Sequence, residues 1–120
     1  MERGFHVSVI RRIQPVAIVE LYGYLDASTA NELDNLLARL LEEGYIKIVL
    51  NCAGLEYISS AGLGVFMGHI ESYRAVGGDL RFCSLRERIA TIVEMLGFPL
   101  IFHFFPDCQT AEASYSNSKS

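Results

Sequence analysis

The spacing of apolar residues changes period repeatedly along this chain, and that alternation limits the possible folds more than any other property of the sequence. Val16 to Leu25 is rich in β-branched and aromatic residues and reads as a strand. After Gly23-Tyr24-Leu25-Asp26 the period lengthens to about 3.6, because Ala30, Leu33, Leu37, Leu40 and Leu41 share one helical face while Glu32, Asn35 and Arg39 lie elsewhere. Asp26, Ser28 and Thr29 supply the start signal, Thr29-x-x-Glu32 has the spacing of a capping box, and Gly44 supplies the stop. Tyr45 to Leu50 is a short, mostly apolar run of the kind covered on both faces, and is expected to be the central strand, ending near Asn51.

The pattern then repeats. Leu63, Phe66, Met67 and Ile70 have helical spacing and stop at Gly77-Gly78, and Leu80 to Cys83 reads as a fourth strand. Ser84-x-x-Glu87 is a second capping box, predicting a helix with Ile89, Ile92, Val93 and Leu96 inward, closed by Gly97 and Pro99. Leu100 to Phe105 reads as a fifth strand, Asp107 to Tyr115 as a short helix, and 116–120 as a disordered tail. At the other end, Phe5, Val7 and Val9 alternate with His6 and Ser8 before Gln14-Pro15 breaks the run, so the first two strands form an antiparallel hairpin. Helical crossovers require parallel pairing from Val16 onward. The expected fold is a single α/β domain over 1–115, with a mixed, mostly parallel β-sheet, an antiparallel first strand and about four helices.

Composition narrows the function. With 120 residues and 51% hydrophobic content the chain is long enough for one core. A net charge of −4 argues against a direct nucleic-acid partner. No run of about 18 apolar residues suggests membrane insertion and no charged-then-apolar leader is present, so a soluble cytoplasmic protein is expected. Cys52, Cys83 and Cys108 lack a C-x-x-C spacing and read as buried free thiols without metal or redox chemistry.

In a sheet of this kind, sites gather where strands end and helices begin, which brings the Leu25-Asp26 turn and the stretch Tyr57-Ile58-Ser59-Ser60-Ala61-Gly62-Leu63-Gly64 to one edge. Either Ser59 or Ser60 can cap the helix that follows, and a helix N-terminus also stabilises a phosphate. Gly62-Leu63-Gly64 lacks the lysine and glycine spacing of a P-loop. A nucleophile elbow is excluded because Ile58 stands two residues before Ser60. His69 lies too far along the same helix to act as its base, and His6 and His103 fall in strands. With no ligand cluster for a metal and no cofactor motif, the reading is a binding surface and not an enzyme.

Gly23-Tyr24-Leu25-Asp26, Ile48-Val49-Leu50-Asn51, Tyr57 to Val65, and Gly77-Gly78 before a strand occur here in order, and over about residues 5–115 the chain resembles the STAS domain family of bacterial anti-sigma factor antagonists. The resemblance implies phosphorylation of the serine two residues before the motif glycine, which is Ser60, by an ATP-using anti-sigma factor serine kinase, and dephosphorylation by a PP2C-type phosphatase. The family's strand-end aspartate matches Asp26. Many members carry an acidic residue where this chain has Ser59, and a Ser or Thr where it has Ala61, so Ser59 is a second acceptor. The implied partner surface comprises Asp26, Tyr57, Ser59, Ser60, Ala61, Gly62, Leu63 and Gly64, with Leu63 or Tyr57 as an apolar anchor. The resemblance also fits an alternative, a non-phosphorylated STAS scaffold module that binds a transporter or signalling complex.

Overall fold

In the computed structural model, which describes residues 4–116, β1 (Phe5–Ile13) and β2 (Val16–Leu25) form the antiparallel hairpin, pairing Phe5 with Gly23 and Ile13 with Val16. α1 (Ala30–Glu42) leads to β3 (Lys47–Ile58), α2 (Ser60–Ala75) to β4 (Asp79–Cys83), and α3 (Glu87–Met95) to β5 (His103–Phe105). α4 (Cys108–Ser116) follows. The sheet order is β1-β2-β3-β4-β5, with β2 to β5 parallel, so β3 is the central strand as expected.

Strand alternation sorts the core onto two faces. Ala17, Val19 and Leu21 of β2 join Ile48 and Leu50 of β3 beneath Leu33, Leu37 and Leu40 of α1 and Leu63, Phe66, Ile70 and Tyr73 of α2. Ile18, Val49 and Cys83 point the other way, under Ala111 and Tyr115 of α4. Each fully buried aliphatic side chain contributes on the order of 1.5–3 kcal/mol. Tyr115 Oη lies 2.8 Å from Ile48 O and 2.9 Å from Asp79 O, so one hydroxyl serves carbonyls of two adjacent strands. Burial pushes the Tyr115 phenol well above its ordinary pKa, with the Asp79 charge adding to the effect.

Four local expectations are corrected. β3 runs on to Ile58 instead of ending near Asn51, since β2 supplies partners that far, Tyr22 opposite Gly54 and Leu25 opposite Ile58. Glycine is required there, because a Cβ at Gly54 would lie 2.3 Å from Cδ1 of the Tyr22 ring. Neither capping box forms. Thr29 has helical backbone angles (φ −115°, ψ −7°), and its hydroxyl donates back to Tyr24 O at 2.9 Å. Ser84 sits at φ 62° with its N–H still donating to Phe105 O at 3.2 Å, so α3 starts later, after Arg86. Ile89 and Val93 of α3 are buried and Ile92 half-buried, but Leu96, beyond the helix end, is exposed. β5 shrinks to three residues because Phe98–Leu100 wind into a 3-10 turn around Pro99.

The cysteine reading is also corrected. Cys83, at the end of β4, and Cys108, at the start of α4, are joined as a disulfide with a Cα–Cα distance of 5.4 Å. Only Cys52 among the three is a buried free thiol. Ser116, placed in the expected tail, closes α4. Residues 117–120 of that tail lie outside the described residues. Among the described residues no helix is long and apolar enough to cross a membrane.

Candidate functional site

The parallel pairing of β2 with β3 ends at Leu25 opposite Ile58, and the Ser59 N–H donates to Leu25 O at 2.9 Å. That bond joins the two turns the sequence places at one sheet edge. Ser59 is extended (φ −98°, ψ 173°), the conformation an N-cap needs, and its Oγ accepts from Gly62 N at 3.3 Å. Ser60 is the first residue of α2 and is exposed. Among the described residues no group hydrogen-bonds the Ser60 hydroxyl, so the two serines divide the work: one satisfies the helix, the other faces solvent.

The remaining expected surface residues separate by burial. Ala61 and Gly64 are exposed beside Ser60, and a Cβ added at Gly64 would meet open space. Gly62 and Leu63 are buried and do not line the surface, which corrects their expected place and removes Leu63 as an anchor. The cause is close helix–strand approach, since a Cβ at Gly62 would lie 2.8 Å from Leu25 Cγ and 2.9 Å from Leu25 O. Tyr57 remains exposed, with its ring centroid 6.0 Å from that of Tyr24.

Asp26 holds the neighbouring turn. Its Oδ1 accepts from Ser28 Oγ at 2.8 Å and Ser28 N at 3.0 Å. The Ser28 hydroxyl bond, aided by the Ser28 N–H and Thr29, holds the Asp26 carboxyl below the ordinary aspartate pKa. The carboxylate is therefore ionised at neutral pH. The edge carries a fixed negative charge on the turn next to an accessible hydroxyl at the positive end of a helix.

A cleft of about 310 Å³ continues from Tyr57, lined by Tyr24, Glu56, Tyr57, Arg88, Ile89 and Ile92. The position of α3 creates it, through Arg86 donating to Ala53 O at 2.9 Å and Arg88 to Glu56 O at 3.4 Å. Tyr24, Arg88 and Ile92 were not foreseen as site residues, because no local pattern marks a contact between segments some thirty residues apart. A larger cleft of about 460 Å³, between α3 and β5, contains none of the predicted site residues. His69 is turned to α1, with Nε2 2.7 Å from Asp34 Oδ1, and does not approach Ser60.

The division between the serines has a measurable consequence. Ser59→Ala removes the cap and is expected to lower unfolding free energy by about 1 kcal/mol, whereas Ser60→Ala is expected to change it by less than ~0.5 kcal/mol. Urea titration of both variants checks the difference.

Comparisons with known proteins bear on the family and the fold. The family model described as the STAS domain matches residues 8–111. BtrV of Bordetella bronchiseptica, named as an anti-sigma factor antagonist, is 31% identical over 107 residues, covering 89% of this chain and 92% of the relative. The anti-sigma-B factor antagonist of Staphylococcus epidermidis is 29% identical over 85 residues, covering 71% of this chain and 79% of its own. The anti-sigma factor antagonist SpoIIAA shares the fold. Its unphosphorylated form superposes with a TM-score of 0.75 at 14% identity, over 97% of this chain and all of that one (100%). The phosphorylated form of the Bacillus protein gives a TM-score of 0.67 at 16% identity, over 92% of this chain and 99% of its own.

Proposed function

The chain belongs to the STAS domain family, and from that membership we propose that it is an anti-sigma factor antagonist switched by phosphorylation at Ser60. In this reading the unphosphorylated protein acts in the cytoplasm, binding an anti-sigma factor serine kinase and so releasing a sigma factor. Phosphorylation ends the binding, and a PP2C-type phosphatase restores it.

One observation carries the assignment to Ser60: Ser59 spends its oxygen on the Gly62 N–H, while the Ser60 hydroxyl is exposed at the start of α2. A capping hydroxyl must leave its backbone donor to react, whereas Ser60 is presented without that cost. The partner surface consists of Tyr57, Ser59, Ser60, Ala61 and Gly64, with Asp26 on the adjoining turn and Tyr24 beside Tyr57. Gly62 and Leu63 support it from beneath. Small residues around Ser60 allow close approach of a partner, and Tyr57 supplies the apolar anchor.

A phosphate adds roughly −1.5 to −2 charges at pH 7. The helix N-terminus stabilises that charge within the domain, so the fold tolerates it. The penalty falls on the complex, through bulk and through repulsion from acidic groups of the partner.

The direct test is phosphopeptide mapping of the protein isolated from its own cells with phosphatases blocked during lysis. Phosphate on Ser60 in a fraction of molecules is the expected result. Phosphate on Ser59 alone would keep a switch but overturn the residue assignment. Its absence under several growth conditions would favour a scaffold that pairs without phosphate cycling.

A further inference from the structure

The second face of the sheet is covered by one short helix, α4, and the way that helix is attached points to a chemistry unrelated to Ser60. Ala111 and Tyr115 bury Ile18, Val49 and Cys83, and the Tyr115 hydroxyl bridges two strand carbonyls. Arg81 reinforces the C-terminal half, donating to Ser114 Oγ at 2.7 Å with its guanidinium carbon 4.1 Å from the Tyr115 ring centroid. The N-terminal turn is held differently. Asp107, just before the helix, accepts at Oδ1 from Thr110 N at 2.7 Å, and beside the packing of Ala111 the covalent link to the sheet is the bond from Cys108 to Cys83.

We propose that Cys83 and Cys108 form a reversible thiol–disulfide site, oxidised by a low-molecular-weight disulfide of the glutathione class, that determines whether the first turn of α4 is covalently fastened to β4. The two residues are 25 apart in sequence, and their 5.4 Å Cα separation lies within the range a disulfide spans without backbone movement. Cys83 is fully buried, while Cys108 is only half-buried at the start of α4 and within reach of a disulfide in solution. Cys108 is therefore the attacking thiol. Its thiolate displaces one glutathione thiol from the oxidised tripeptide, forming a mixed disulfide. The Cys83 thiolate then attacks the Cys108 sulfur and releases the second glutathione thiol. Two protein thiols lose two electrons and two protons, and one glutathione disulfide becomes two thiols. Excess reduced glutathione reverses both steps. Cys52 takes no part, because it packs in the core cluster beneath α1 and α2 and not in the cluster under α4 that holds Cys83, and burial there pushes its thiol up to about 12.

The test equilibrates the full chain in buffers of graded reduced-to-oxidised glutathione ratio, quenches with acid, and alkylates all free thiols after denaturation. Intact mass and peptide mapping then count the labels. Two labels are expected to disappear together as the buffer becomes oxidising, with the peptides of Cys83 and Cys108 joined and Cys52 still labelled. Closing this loop constrains the unfolded chain, so the oxidised form should melt at least about 5 °C above the reduced form. Hydrogen exchange of the first turn of α4 should be faster in the reduced form, with the Tyr115 end little changed. Cys108→Ser and Cys108→Ala should fold, show no joined peptide and melt at one temperature in both buffers. Three labels in every buffer, equal melting temperatures of the two forms, or a redox response that persists in both Cys108 variants would each overturn the proposal.

Discussion

Ser60→Asp is expected to bind the anti-sigma factor kinase about a hundred- to a thousandfold more weakly than Ser60→Ala, measured by titration calorimetry on purified partners. A few kcal/mol of like-charge repulsion and desolvation at a close contact corresponds to a change of that size. Under the proposed function the penalty falls on the interface and not on the fold. Aspartate at the first position of α2 is favoured by the helix dipole, and the Ser59 cap is untouched. The melting temperature of Ser60→Asp should therefore equal or slightly exceed that of the parent chain. Asp26, already ionised on the next turn, sets the electrostatic background against which the new charge is felt. Aspartate carries less charge than phosphate, so the measured loss is a lower bound for the modified protein. Equal binding of Ser60→Asp and Ser60→Ala would remove the electrostatic switch, and a fall in both would show that the hydroxyl itself contacts the partner.

The largest expected stability effect lies away from the site, at Asp79. This residue is 5% exposed. Its Oδ1 accepts from Arg74 Nε and from Leu80 N, both at 2.9 Å, and its Oδ2 from Arg81 Nε at 3.0 Å. Arg81 is itself largely covered, with 17% of its side chain exposed, whereas Arg74 is 40% exposed and partly screened. Asp79→Ala leaves the Arg81 guanidinium beside Tyr115 without its counter-charge, and removal of one partner from a buried pair costs about 3–5 kcal/mol. The lower end applies here, because solvent takes over much of the Arg74 contact. Urea unfolding with an unchanged slope should show the loss, and Asp79→Asn, which keeps an acceptor for Leu80 N, should recover part of it. A loss under ~1 kcal/mol for Asp79→Ala would mean that Arg81 finds water without disturbing α4.

How far the chain could be read from its residues is clearest where the reading failed. Side-chain spacing predicts capping boxes at Thr29 and Ser84, yet a cap also needs extended backbone at the capping residue. Thr29 is helical and Ser84 left-handed, and neither angle is encoded in the spacing. The third strand is expected to end near Asn51, but β2 provides a continuing ladder and Tyr22 fills the space over Gly54. The pairing of Cys83 with Cys108 depends on where β4 and α4 meet, a contact across 25 residues. The cleft between Tyr57 and α3 has the same origin.

The site divides in the same way. That Tyr57 to Gly64 joins a strand to a helix, and that Asp26 closes the neighbouring strand, follows from residue types and period, because turn chemistry and amphipathic spacing act over a few residues. Which serine caps α2 and which is presented, and that Gly62 and Leu63 lie beneath the surface, depend on how closely α2 packs on Leu25 and Ile58. Sequence alone determined the order of elements, the antiparallel first strand and the meeting of the Leu25-Asp26 and Tyr57-to-Gly64 turns at one sheet edge, since each rests on local preference and connection length. Tertiary structure alone decided the free hydroxyl, the buried glycine and the covalent tie of α4, since burial and long-range pairing arise only when separate segments meet.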